Sequence, residues 1–153
     1  MQYNLFKKKF IFFLSIIIFI LTGCGSKNPI SIEDFTKKLT DKGYQISPIT
    51  NIDNNSISNL IIAKKDDHQF EFCVAKDDDN AVYFFNKNKT AFEKYKGSVN
   101  TSSKKNIGNV SRYTLTSNGK YHIVSRIGNT VLYLESPDKN KSEIEKILKE
   151  IGY

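Results

Sequence analysis

Two cysteines, two histidines and a few isolated acids are the residues with distinctive chemistry to offer in this 153-residue chain. Cys24 follows two small residues at the end of an apolar run, which presents a thiol nucleophile beside a hydrophobic segment. Cys73 lies in Phe70-Glu71-Phe72-Cys73-Val74, an alternating strand pattern, and reads as a small apolar strand residue rather than a reactive thiol. If Cys24 is used elsewhere, no intrachain disulfide can form. His68 and His122 have no second His or Cys at ligand spacing, so no metal centre is expected. His68 reads as a solvated hairpin end beside Asp66-Asp67, and His122 as a strand residue pointing to one face of a sheet. Asp77-Asp78-Asp79-Asn80 invites a calcium reading, but an EF-hand loop needs Gly at its sixth position, and that position is Val82. A helix cap is the better role. Glu71 is the one acid inside an apolar strand, and alternation puts it opposite Phe70 and Phe72, toward solvent. There is no Gly-rich phosphate loop, no Gly-x-Ser-x-Gly elbow and no His-Glu-x-x-His. No catalytic residue and no cofactor is therefore expected, and the chain reads as a non-enzyme.

Aromatic residues are the remaining lead. Tyr113, Tyr121 and Tyr133 fall in three successive strand-like runs. They form either a mixed core and rim, or an aromatic surface for glycan or peptide contact with Lys120 and Arg126 nearby.

The elements that must position these groups begin with a leader. Lys7, Lys8 and Lys9 form a positive segment, followed by 12 residues from Phe10 to Leu21 that are apolar apart from Ser15. A spanning helix needs about 17–25 residues, so this run fits an export signal better than a permanent anchor. Leu21-Thr22-Gly23-Cys24 resembles the lipobox of bacterial lipoproteins at every position. The resemblance implies that Cys24 receives a diacylglycerol and that signal peptidase cuts between Gly23 and Cys24. Residues 1–23 are then the signal peptide, 24–30 a lipid-anchored tether and 31–153 a single domain. Two acyl chains suffice for a stable anchor.

Removing residues 1–23 takes away three Lys and no acid, leaving 20 basic and 16 acidic residues, a net charge near +4. Such a surface suits an anionic polymer or lipid headgroups. The chain has 21 Lys and only 2 Arg. Arg is the residue for bidentate phosphate recognition, so no nucleic-acid partner is expected.

Within the domain, Ser31 caps a helix over about 32–42, with Ile32, Phe35 and Leu39 on one face and Gly43 as its stop. Residues 44–49 read as a short extended piece. Two strands, 60–64 and 68–75, form a hairpin about Asp66-Asp67. A second helix covers about 79–96. Residues 97–109 are polar and small, and read as a mobile surface loop. Strands at 110–116, 120–127 and 130–135 form a meander, with Asn118-Gly119 as a type I′ turn and Gly128-Asn129 as a second tight turn. A final helix runs from Ser142 to Ile151. The order α-β-β-α-β-β-β-α predicts an α+β domain, one antiparallel sheet with helices packed on one face. Leu39, Gly43 and Tyr44 recur as Leu148, Gly152 and Tyr153 at a constant offset of 109, which either duplication or shared helix-stop chemistry would produce.

From Ser31 onward the arrangement is similar to small uncharacterised lipoproteins of AT-rich Gram-positive bacteria. The resembling elements are Gly43-Tyr44, Tyr83-Phe84-Phe85, and Tyr113 through Tyr121 leading into Val124-Ser125-Arg126-Ile127. The resemblance implies a fold and a location, the outer side of the cell membrane, but no activity. The expected function is a lipid-anchored interaction or ligand-binding module at the cell envelope, meeting a protein, a peptide or an anionic wall polymer. A small envelope enzyme without a recognisable motif, or a structural lipoprotein with no ligand, are the alternatives.

Overall fold

Helix ends follow local chemistry in the computed structural model, which describes residues 26–50, 52 and 55–153. Residues 1–23, expected to be a signal peptide, and Cys24, the expected lipidation site, lie outside the described residues. Helix α1 (Ile32–Thr40) starts at Ser31, whose hydroxyl accepts the Asp34 N–H at 3.0 Å. It stops at Gly43 in left-handed geometry (φ +83), where the Tyr44 N–H donates to the Leu39 carbonyl. Helix α3 (Lys141–Ile151) ends the same way, with Gly152 at φ +89 and the Tyr153 N–H on Leu148. The echo at offset 109 is thus one helix-stop bond made twice. Helix α2 (Asp78–Glu93) is capped by Asp77, which accepts the Asn80 N–H at 2.8 Å, as the acid run implied.

Seven strands form one antiparallel sheet. They are β1 (Gln45–Ile49), β2 (Ile57–Lys65), β3 (His68–Ala75), β4 (Asn100–Ile107), β5 (Val110–Ser117), β6 (Lys120–Ile127) and β7 (Thr130–Pro137), in the order β1-β2-β3-β7-β6-β5-β4. The α+β class and the single antiparallel sheet are as expected. Asn118 and Gly119 both take positive φ, as a type I′ turn requires. A 3₁₀ turn, Asp138–Asn140, leads from β7 into α3.

Two strands extend the expected order. The extended piece after Tyr44 is β1, an edge strand that tolerates Pro48 because its outer side needs no donor. The segment 97–109 is not a mobile loop: residues 100–107 form β4, the opposite edge, in unbroken register with β5. All eight of its side chains are exposed. A strand wet on both faces has no apolar alternation to announce it.

The helices divide between the two faces rather than sharing one. Phe35 and Leu39 of α1, and Ile144, Ile147, Leu148 and Ile151 of α3, pack with Phe70, Phe72, Ile123, Leu132 and Leu134. On the other face, Ala81, Phe85 and Phe92 of α2 pack with Tyr113, Leu115, Val124 and Val131. The central strand β6 is consequently buried at every position from Tyr121 to Ile127. His122, Ser125 and Arg126 interrupt what would otherwise read as the continuous apolar run of a doubly covered strand.

Candidate functional site

Strand register decides which groups meet. Glu71 opposes Tyr133 on β7 and Ile62 on β2, while Cys73 opposes Val131 and Leu60. Residues two apart share a face, so Glu71, Cys73, Leu60, Val131 and Tyr133 all lie on the α2 side. Phe84 and Asn88, four apart on α2, come down over them. The result is a cleft of about 150 Å³ lined by Ile57, Leu60, Glu71, Cys73, Phe84, Asn88, Val131 and Tyr133. It lies between α2 and strands β2, β3 and β7.

The chemistry of the cleft is that of a seat rather than a reaction centre. Burial pushes the Cys73 thiol up to about 11, so it is protonated at neutral pH and not a ready nucleophile. Burial first, then the charges of Glu135 and Glu71, push the Tyr133 hydroxyl up to about 12, leaving it an O–H donor. Glu71 accepts a hydrogen bond from Gln69 Nε2 at 3.0 Å. The Asn88 amide is spent on the Phe84 carbonyl one turn back. The walls can therefore hold an apolar group by contact, with Glu71 and Tyr133 as the polar groups at its edge. Glu71 is half-buried at this cleft, not simply solvated.

Higher on the same face, His122 is 1 % exposed and held between the rings of Phe92 and Tyr95, with centroids 4.7 and 5.3 Å away. Its Nδ1 is 3.4 Å from Glu135 Oε2 and has no hydrogen-bond partner. Glu135 also pairs with Lys120. Burial holds the His122 pKa below its ordinary value, Glu135 opposes that shift, and Lys120 adds to it. The unfolded chain therefore takes up a proton on His122 before the native state does, and stability falls as pH drops below about 6.5. Urea unfolding of wild type and His122→Phe between pH 7 and 5 should show the shallower acid slope in the variant. Equal slopes would place the acid sensitivity elsewhere.

The five residues of the expected aromatic surface are not brought together. Tyr113 is buried on the α2 face, with Lys89 Nζ 5.4 Å from its ring centre. Tyr121 is fully buried on the opposite face, where its hydroxyl donates to Glu145, itself held by Arg112. Lys120 is engaged with Glu135. Arg126 is 7 % exposed and donates through Nη1 to the Gly128 carbonyl at 3.0 Å, bracing the β6–β7 turn. Tyr133 alone reaches the cleft. The solvated hairpin end expected at His68 is buried too: Nε2 lies 2.6 Å from the Tyr44 hydroxyl and Nδ1 3.4 Å from Asp67. Lys139, then Asn140, then His68 hold the Asp67 carboxyl down at about 2.

Ile57, Leu60, Phe84, Asn88 and Val131 escaped the sequence reading. The alternation of Glu71-Phe72-Cys73 was the available signal, since it puts the acid and the thiol on one face. No group of three or more His, Cys, Asp or Glu side chains among the described residues could hold a metal ion. No helix of the described residues is long and apolar enough to cross a membrane.

No protein-family model matches the chain, and no curated protein matches it. Among solved structures, the crystal structure of a GTP binding regulator from Thermotoga maritima is similar, with 18 % sequence identity and a TM-score of 0.43. The match covers 79 % of this chain and 84 % of that one.

Proposed function

We propose that this protein is a lipid-anchored extracytoplasmic binding module, held at the outer face of the cell membrane by a diacylglyceryl group on Cys24. One observation carries the location: three Lys, a 12-residue apolar run and Leu21-Thr22-Gly23-Cys24, in the order and spacing of a lipoprotein leader. The cleft beside α2 supports a binding role. It offers an apolar seat with Glu71 and Tyr133 at its edge and a thiol that burial keeps protonated. Its dimensions suit one aliphatic or aromatic side chain of a partner, or a short hydrocarbon group, not a large metabolite. The modest positive charge of the processed chain favours an envelope polymer or acidic protein surface as the wider partner.

Intact mass of protein purified from a lipoprotein-processing host tests the location. The expected N-terminal peptide begins at Cys24 and carries a diacylglyceryl increment. A chain that retains residues 1–23, or begins at an unmodified Cys24, would overturn the reading.

A further inference from the structure

The tether is not free of the domain. The Lys27 N–H donates to Asn109 Oδ1 at 2.9 Å, and Asn109 Nδ2 donates back to the Lys27 carbonyl at 2.8 Å. This reciprocal pair joins positions 82 residues apart. The next turn closes over it. Gly128 donates its N–H to the Asn109 carbonyl, and a Cβ on Gly128 would lie 3.6 Å from Asn109 Nδ2 and 4.0 Å from Pro29 Cδ. Residues 27–29 therefore run along the end of the sheet formed by the β4–β5 and β6–β7 turns.

Three peptide units separate Lys27 from Cys24, a reach of at most about 11 Å. At the same end, Ile107 closes β4 with 59 % of its surface exposed. The other end of β4 is flanked by Val99, about 26 Å away along the strand direction.

We propose that the Asn109 clasp holds the domain upright on a bilayer, with the two turns facing the lipid and Ile107 entering the headgroup layer. This rests on acylation of Cys24, since only a short chain between anchor and clasp brings that end to the membrane. Asp78 stands at the same end, its Oδ1 3.9 Å from where a Cβ on Gly128 would lie. The contact proposed is thus one of the anchor and an apolar side chain, with Lys27 of the clasp beside it.

The chain contains no Trp, so single Trp substitutions report position without background. Lipoprotein carrying Ile107→Trp, or Val99→Trp as the distal comparison, would be purified, weighed for acylation and reconstituted in vesicles containing brominated phosphatidylglycerol. The expected result is blue-shifted emission and strong bromine quenching for Ile107→Trp, and water-like emission with little quenching for Val99→Trp. Adding Asn109→Ala to the Ile107→Trp chain should bring its quenching down toward that of Val99→Trp while circular dichroism stays unchanged. Equal quenching at the two sites would overturn the orientation, and quenching indifferent to Asn109→Ala would overturn the clasp. Mass reports the acylation separately. If Cys24 is not acylated, the same comparison is made with residues 24–153 in a Cys73→Ala background, with the Cys24 thiol coupled to a maleimide headgroup lipid. The geometric test then stands whatever becomes of the biological anchor.

Discussion

Phe72→Ala is expected to destabilise the domain by about 3–5 kcal/mol, the cost of emptying a large aromatic from a packed core. Phe72 is 0 % exposed. Its ring stacks on Phe35 of α1 at 4.4 Å, with 16° between planes, and meets Tyr153 edge-on at 6.3 Å. Its backbone sits on the β3–β7 pairing, opposite Leu132. One side chain thus ties α1, the chain terminus and the joint between the two halves of the sheet. Aromatic pairing adds about 0.5–1.5 kcal/mol beyond area burial, which places this site above an aliphatic truncation. Domains of this size have about 5–15 kcal/mol in all, so the variant should be marginal at 37 °C. Urea unfolding measures the loss. Tyr83→Ala is the comparison: that ring is 58 % exposed on α2 and should cost less than about 0.5 kcal/mol. A Phe72→Ala loss no larger than that of Tyr83→Ala would mean that the α1 face is not the main core.

With Cys24 as the acyl acceptor proposed above, Cys24→Ala should abolish acylation and leave residues 1–23 attached. The effect on mass is close to all-or-none, because alanine offers no thiol to take the diacylglyceryl group. The fold should not change, since position 24 lies outside the described domain core. Fractionation of cells, with mass of the recovered chain, measures both outcomes. A Cys24→Ala protein that is processed and retained like wild type would remove lipidation as the anchor. Cys73→Ala is the matched control and should fractionate as wild type does.

What could be read from the sequence followed where local chemistry is decisive. Ser31, Asp77, Gly43 and Asn118-Gly119 each specify a cap or a turn within a few residues, and each does so in the structure. The meander of β5, β6 and β7 was visible through its turns. The second face of the sheet was not. It depends on α2 crossing back over strands distant in sequence, and His122 and Arg126 on that face look polar until their burial is seen. The edge strand β4 was hidden for the opposite reason, since nothing apolar is needed at a position that touches only water and one neighbour. Cleft residues were legible only as a parity: Glu71 and Cys73 on one face. Their companions Leu60, Phe84 and Val131 come from β2, α2 and β7, and only the register β2-β3-β7 gathers them.

The joint between β3 and β7 also has a kinetic meaning. Strands β1 to β3 and strands β4 to β7 are two meanders whose internal neighbours are consecutive in the chain. Each can find its register through short loops, at small entropic cost. The β3–β7 pairing is the exception, joining Gln69 to Glu135 and Val74 to Thr130 across the whole of α2 and the second meander. The halves can therefore form early and separately, before the pairing that joins them. The long-range pairing of the sheet is this one suture, where Phe72 and Leu132 come together.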